Sequence, residues 1–367
     1  MKRRTVILLI AIWFIFGIAI LAKLAWENQP RPALETKFIQ KNPEQKEKTA
    51  NIIPEVSVIA PGSSAILSSP YHIYQTFNNC GPATLSMILS WYDISASQEE
   101  LGQKMRPFQN SQGDNDDKTI FATEFVYWAK QYGLQALERP NGDLNLLKKF
   151  IANNIPVVVK TWLNPNEDIG HFRLVRGFDE NKKVIIQDDS YQGRDKEIPY
   201  YDFLSLWQPF NYNYILVYPL SEESKITAIL DSEAKEKTAW ENALSRAEKE
   251  NKLDPENPYP VFNIATSAYH LGDYQKSVLA FEQVENKLPR RMLWYQIEPI
   301  IAYFYLENYD RVFEITNQIL NNGNRAFSEL YLIRAEIYEK LGNAEKAKEE
   351  LELALKYNPN LPMLQFE

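Results

Sequence analysis

Cysteine and histidine are the scarce residues of this 367-residue chain, which contains one cysteine and three histidines. A single cysteine excludes an intramolecular disulfide framework, a CxxC redox pair and a thiolate zinc cluster. The histidines, at positions 72, 171 and 270, show no HExxH or comparable spacing of metal ligands. We therefore expect the protein to use neither a metal nor another cofactor.

An excess of positive charge is also lacking, because 40 lysine and arginine residues stand against 48 acidic ones and no basic patch stands out beyond the N-terminus. Nucleic-acid binding depends on accumulated lysine and arginine, so we expect no nucleic-acid partner. Hydrophobic residues make up 45% of the chain, which is enough for ordinary folded cores, and the length allows two or more domains.

One long apolar run stands at the N-terminus, uncharged from Val6 to Ala22 and preceded by Lys2, Arg3 and Arg4. Its length predicts a transmembrane helix within residues 1–26, and the preceding charges predict a cytoplasmic N-terminus. A cleavable signal peptide is the rival interpretation, but no small-x-small site follows the run. We expect a single-pass membrane protein whose domains are extracytoplasmic.

Composition divides the remainder of the chain into three parts. Residues 27–59 are mostly polar and lack periodicity, which predicts a flexible linker. Residues 60–222 mix helical patterns, such as 119–133, with strand-like runs, whereas residues 223–367 read as helical throughout. The strand-like runs are 156–162, 172–178, 183–187 and 212–220. This order predicts an α+β domain followed by an all-α domain.

The single cysteine, Cys80, begins the stretch "CGPATLSMILSWY", whose apolar spacing is helical. Pro82 suits the first turn of a helix, so we place Cys80 at a helix N-terminus. The helix dipole and unpaired amides there stabilise a thiolate. A small buried hydrophobe is the alternative, and position alone does not separate the two.

A second stretch, "GHFRLVRGFDENKKVIIQDD", predicts an antiparallel hairpin with its turn at 179–181. A turn centred near residue 180 places His171 opposite Asp189, and one centred half a residue earlier selects Asp188 instead. A carboxylate on the same face can orient the imidazole toward Cys80, as in an activated nucleophile. Gln75, just before the cysteine, is a candidate donor to an oxyanion.

These residues resemble the bacteriocin-processing-type cysteine peptidases, which have a papain-like fold. The resemblance covers roughly residues 70–220 and implies Cys80 as nucleophile, His171 as base and Gln75 in the oxyanion hole. The family usually has Asp-Pro after the second strand, whereas this chain has Asp188, Asp189 and Ser190. We take Asp189 as the orienting residue, with Ser190 in place of the proline and Asp188 as the alternative.

The C-terminal region contains a repeat, since "LGDY", "LENY" and "LGNA" begin at residues 271, 306 and 341, a spacing of 35. This pattern resembles the tetratricopeptide repeat, with a degenerate middle copy and an incomplete copy before the first. Stacked repeats form concave surfaces suited to peptides or proteins. We expect the repeats to recruit a protein partner; a helical bundle that only supports the first domain is the alternative.

The sequence thus predicts a membrane-anchored cysteine peptidase that hydrolyses peptide bonds of a peptide or protein substrate through a Cys-His-Asp triad. Two alternatives remain open. One is a catalytically silent scaffold that binds peptides, and the other is a cell-wall amidase or transpeptidase with the same triad.

Overall fold

A computed structural model describes residues 57–69, 71–108 and 119–361 of the chain. No helix within these residues is long and apolar enough to cross a membrane. The predicted anchor, residues 1–26, and all but the last three residues of the predicted linker, 27–59, lie outside the described part. The anchor and linker therefore stay predictions from the sequence.

The first part of the described chain combines seven strands with five helices. The strands are β1 (Ser64–Ile66), β2 (Gln135–Arg139), β3 (Val157–Trp162), β4 (Gly170–Asp179), β5 (Val184–Asp189), β6 (Gly193–Pro199) and β7 (Tyr214–Tyr218). The helices are α1 (Cys80–Ser90), α2 (Gln98–Met105), α3 (Ala122–Lys130), α4 (Leu144–Ala152) and α5 (Tyr200–Trp207).

The strands form one antiparallel sheet in the order β2-β7-β3-β4-β5-β6, and β1 pairs with the end of β4. Helices cover both faces of the sheet. Successive side chains of a strand point to opposite faces, so residues on either face are buried. Val158 packs with α1, α2 and α3, whereas its neighbours Val157 and Val159 pack with α4 and α5. Strand β4 lies inside this sheet, so its side chains reach the middle of the domain.

The predicted α+β domain is present, and all four predicted strand-like runs are strands. Three further strands, β1, β2 and β6, were not predicted. Their sequences explain this, since β6 reads "GRDKEIP" and most of its residues are exposed. A short or polar strand has no apolar alternation and is specified by its neighbours in the sheet. The predicted helix 119–133 begins later, at Ala122.

The second part of the chain is helical, as predicted. Its α-helices are α6 (Glu223–Leu230), α7 (Glu236–Leu253), α8 (Pro258–His270), α9 (Tyr274–Val284), α10 (Met292–Tyr295), α11 (Glu298–Tyr305), α12 (Tyr309–Asn321), α13 (Ser328–Lys340) and α14 (Ala344–Tyr357). The three repeated motifs are the turns of the helix pairs α8–α9, α11–α12 and α13–α14.

The two parts share a hydrophobic core, and residues 55–367 group into one compact unit. Trp162 and Phe210 of the first part are buried among helical-region residues such as Phe262. The Nδ2 of Asn211 also donates to the hydroxyls of Thr266 and Ser267, at 3.1 and 2.8 Å. The helical region is therefore fixed against the sheet-containing part.

Candidate active site

Cys80 is the first residue of α1, the position predicted for it. Residues 81–89 of this helix are all buried, so α1 runs through the interior and presents its N-terminus to a cleft. The first turn contains no acidic residue that would compete for its free amides. The Cys80 thiol is partly buried and lines the cleft, whose volume is about 390 Å³.

His171 lies in β4 and lines the same cleft as Cys80, where the imidazole lowers the pKa of the thiol. The other side of the ring meets Asp189, since His171 Nε2 lies 2.9 Å from Asp189 Oδ1. Because the carboxylate occupies Nε2, Nδ1 is the ring nitrogen left for the thiol. Both His171 and Asp189 are buried, at 2% and 0% exposure, so solvent hardly screens this contact.

The hairpin that joins His171 and Asp189 has a different register from the predicted one. Asp179 pairs with Val184, which centres the turn between Asn181 and Lys182 rather than near residue 180. A bulge between Val175 and Gly177 then shifts the pairing by one residue. In the resulting register Leu174 pairs with Asp188. Asp189 therefore reaches His171 from a diagonal position on the same face, not from directly opposite.

Asp188, the alternative carboxylate, lies on the other face of β5 and does not contact His171. Its Oδ1 accepts from Arg176 Nε at 2.8 Å and from the backbone N–H of Asp195 at 3.1 Å. Successive side chains of a strand point to opposite faces, which separates the two aspartates. The structure thus brings Asp189, not Asp188, to the imidazole.

Gln75 also lines the cleft, and its side chain is oriented by Ser190. The Ser190 hydroxyl donates to Gln75 Oε1 at 2.9 Å, and the Gln75 N–H donates to the Ser190 carbonyl at 2.7 Å. With its oxygen engaged, the amide can present its Nε2 toward Cys80. The sequence indicated Ser190 only as the residue in place of the family's proline. It did not predict the hydrogen bond between Ser190 and Gln75.

Two further buried residues, neither predicted, brace the segment that precedes Cys80. Gln98 accepts from the N–H of Thr76 and donates to the carbonyl of Tyr74, both at 2.9 Å. Arg106 donates to the carbonyl of Phe77 and to Asn79 Oδ1, both at 3.3 Å. The sequence offered no signal for them, because a glutamine and an arginine in a polar helical stretch are usually exposed and their burial follows from the tertiary fold.

The electrostatics of the cleft favour an ion pair between thiolate and imidazolium. Burial opposes ionisation of Cys80, but the hydrogen bond and charge of His171, the N–H of Phe172 and the charge of Arg106 lower the pKa of the thiol. Burial would lower the pKa of His171, yet its bonds to Asp189 and Cys80 raise it. Despite burial, His171 and Arg173 hold the pKa of Asp189 far below its usual range.

Two segments of the chain match known protein families. Residues 66–215 match the family described as Peptidase_C39 like. The sheet-containing part of the chain is thus similar to this family. Residues 328–361, which contain α13 and α14, match the tetratricopeptide repeat. The predicted order of a bacteriocin-processing-type peptidase domain followed by such repeats is thus confirmed.

Three solved structures illustrate the similarity. A double glycine motif protease from an AMS/PCAT transporter, in complex with a leader peptide, is 20% identical and covers 44% of this chain and 99% of its own, with a TM-score of 0.31. The peptidase domain of Streptococcus ComA is 22% identical and covers 40% and 96%, with a TM-score of 0.32. MamA from Desulfovibrio magneticus is 17% identical and covers 38% and 77%, with a TM-score of 0.31. No curated protein is significantly similar to the chain.

One wall of the cleft comes from the helical region. Tyr295, the last residue of α10, lines the cleft together with Cys80 and His171. The helix is held in place by the Arg291 guanidinium, whose NH1 donates to Asp168 Oδ1 at 2.7 Å. Thr119 also hydrogen-bonds the carbonyl of Trp294. Sequence reasoning assigned no cleft residue to the repeats, because nothing in the pattern of α10 distinguishes it.

Proposed function

We propose that the protein is a cysteine peptidase that hydrolyses peptide bonds through Cys80, His171 and Asp189. The observation that carries the proposal is the buried His171–Asp189 pair, whose imidazole lines the same cleft as Cys80 at the N-terminus of α1. Such a chain supplies a nucleophile, a base and an orienting group in one cleft. A domain that only bound peptides would not require a thiol of lowered pKa.

In the proposed reaction, the Cys80 thiolate attacks the carbonyl carbon of the scissile bond. The carbonyl π electrons move to oxygen, and the resulting oxyanion accepts hydrogen bonds from the Gln75 amide and the Cys80 N–H. His171 then gives its proton to the leaving nitrogen as the C–N bond breaks. The products of this half are a free amine and a thioester on Cys80.

The second half releases the acyl group. Neutral His171 takes a proton from water, and the hydroxide attacks the thioester carbonyl. Collapse of the second tetrahedral intermediate breaks the C–S bond, restores the thiolate and frees a carboxylic acid, which loses its proton to water. The proton taken from water leaves the His171 imidazole charged opposite the Cys80 thiolate, as at the start of the reaction. Asp189 keeps Nε2 protonated throughout, so Nδ1 is the atom that carries protons to and from the reacting groups.

The experiment is a digest of a mixed peptide library by the full chain, with new termini identified by mass spectrometry. We expect cleavage by the wild type, and none by Cys80→Ala or His171→Ala. His270→Ala is the matched control, because His270 stacks on Trp240 in the helical region, away from the cleft. Cleavage that persists in Cys80→Ala would refute the proposal.

We also propose that residues 1–26 anchor the protein in a membrane with its folded part outside the cytoplasm. The apolar run from Val6 to Ala22 and the preceding positive charges support this. The chain expressed with residues 1–26 should resist alkaline carbonate extraction, and a chain beginning at residue 27 should be released. Release of both would contradict the anchor.

A third part of the proposal is that the repeats recruit a protein. The tetratricopeptide match supports a surface for protein or peptide contact. Leu279 of α9 and Leu355 of α14 are each 50% exposed and leave apolar surface for a partner. If this is correct, Leu279→Glu with Leu355→Glu loses a partner that crosslinks to the wild type in cells, whereas Cys80 alkylation is unchanged. Equal crosslinking would argue against recruitment by these faces.

A further inference from the structure

We propose that Tyr295 is a specificity-determining residue of the active-site cleft, so that the helical region takes part in selecting the substrate beside the scissile bond. The inference rests on the proposed peptidase function and extends it to residues outside the segment that matches the Peptidase_C39 like family. It starts from the contact between Tyr295 and Gly170, the residue directly before His171.

Tyr295 and Gly170 approach so closely that no side chain fits at position 170. A Cβ there would lie 2.7 Å from Tyr295 Cε1 and 2.8 Å from Cδ1, closer than real Cβ contacts. The ring is therefore seated on the backbone that leads into the base of the proposed triad.

Neighbouring aromatic rings fix the ring of Tyr295 in this position. Its centroid lies 5.7 Å from that of Trp162 and 5.9 Å from that of Phe210, both in edge-to-face geometry. The Lys160 ammonium lies 5.2 Å from the same centroid. A ring held from several sides loses little further freedom when a substrate binds, so it can act as a rigid wall.

The surface that this wall offers to a substrate is apolar. Its face consists of aromatic ring carbons, and Tyr295, which is partly exposed, lines the same cleft as the Cys80 thiol. A rigid apolar wall beside a nucleophile limits the size of the substrate side chain that can approach it. We expect selection for small apolar side chains next to the scissile carbonyl and exclusion of aromatic ones.

The test compares two peptidyl chloromethyl ketones that alkylate Cys80, Ala-Ala and Phe-Phe, with iodoacetamide as the small electrophile. In the wild type the Ala-Ala reagent should react faster. Tyr295→Ala should raise the Phe-Phe to Ala-Ala ratio of second-order rate constants by about tenfold or more, the range of a changed pocket size. Tyr295→Leu should give an intermediate ratio and retains part of the packing if the alanine variant unfolds.

Two control variants distinguish an effect of the Tyr295 ring on substrate selection from a general effect of substitution in the helical region. Tyr295→Phe keeps the ring and should keep the wild-type ratio, and Tyr274→Ala removes a repeat-region ring that stacks on Tyr305 away from the cleft. A ratio that is unchanged in both Tyr295→Ala and Tyr295→Leu, with normal iodoacetamide rates, would overturn the inference and leave the peptidase proposal standing. Slow iodoacetamide reaction at pH 6 in every form, wild type included, would instead reject the proposed nucleophile.

Discussion

At the scale of single residues, the Asp189 carboxylate accepts four hydrogen bonds. Its Oδ1 accepts from His171 Nε2 and from the N–H groups of Tyr191 and Gln192, at 2.7 to 2.9 Å. Its Oδ2 accepts from Arg173 Nε at 2.9 Å. A fully buried carboxylate satisfied in this way stays ionised and keeps the imidazole in one orientation.

Replacement of Asp189 by asparagine therefore tests the orienting role. The amide can accept from Arg173 only by turning its NH₂ toward His171, which forces Nε2 to accept and moves the ring proton to Nδ1. That tautomer cannot take the thiol proton. We expect kcat to fall by a factor of about 10³ or more with little change in substrate binding. Asp189→Asn activity within about threefold of wild type would contradict the assignment.

Asp188 provides the matched comparison on the same strand. Asp188→Asn should leave turnover per folded molecule nearly unchanged, because Asp188 faces Arg176 and not His171. It should lower the free energy of unfolding by about 3 kcal/mol, since it leaves the buried Arg176 guanidinium with only the exposed Asp195 as a counter-charge. Urea unfolding measures this loss. An inactive but fully stable variant would show that the two aspartates have been assigned the wrong way round.

Local sequence predicted the members of this site better than their contacts. Cys80 and His171 stand next to recognisable helix and strand patterns, so their elements were predictable. The diagonal reach of Asp189 was not, because it depends on a bulge beside Gly177, and a glycine within a strand suggests a bulge without fixing the register that follows. The bond between Ser190 and Gln75 joins residues 115 positions apart, and such pairings follow from the tertiary fold alone.

At the scale of elements, the repeat motifs are turns that require a left-handed residue. Gly272 and Gly342 have φ values of +80° and +72°, and the next residue in each turn caps the following helix. The middle copy has Glu307 at the same place, with φ of +58°. The spacing of this copy was predictable from the sequence. Its departure from the motif places a non-glycine residue, Glu307, in a left-handed conformation that strains the backbone.

This strain makes a prediction about stability. Glu307→Gly should raise the free energy of unfolding by about 0.5 kcal/mol, because the relief of the left-handed strain exceeds the added freedom of the unfolded chain. Gly272→Ala, the reverse change in the first repeat, should lower it by about 1 kcal/mol. Both are measured from urea midpoints. A destabilised Glu307→Gly variant would mean that the glutamate side chain stabilises the turn.

At the scale of the whole molecule, the described helices complete the sheet-containing part instead of following it as a separate body. Trp162 and Phe210 are 3% and 2% exposed only because helical-region side chains cover them. The composition shift near residue 222 was visible in the sequence. The shared core was not, because buried aromatic residues look the same whether they face their own domain or a neighbouring one.

Removal of the helical region should therefore disrupt the candidate site. A chain ending at residue 222 exposes these two large aromatic side chains, each worth about 2 to 3 kcal/mol of burial, against a typical total stability of about 5 to 15 kcal/mol. We expect loss of near-ultraviolet circular dichroism and slower alkylation of Cys80. A chain ending at residue 361 is the control and should behave as wild type. A stable, fully reactive 222-residue chain would contradict the shared core.

The most direct test of the central claim, that His171 activates Cys80, is the pH dependence of alkylation. Cys80 is the only cysteine, so iodoacetamide uptake by the full chain reports it alone. The pKa of the thiol is lowered and that of His171 is raised, so the thiolate forms on the acid side of the free value of about 8.5 while the imidazole is still charged. We predict that the wild-type rate falls less between pH 8 and pH 6 than the rate of His171→Ala, which falls about tenfold per unit as for a free thiol. Parallel profiles, both with a midpoint near 8.5, would contradict the account.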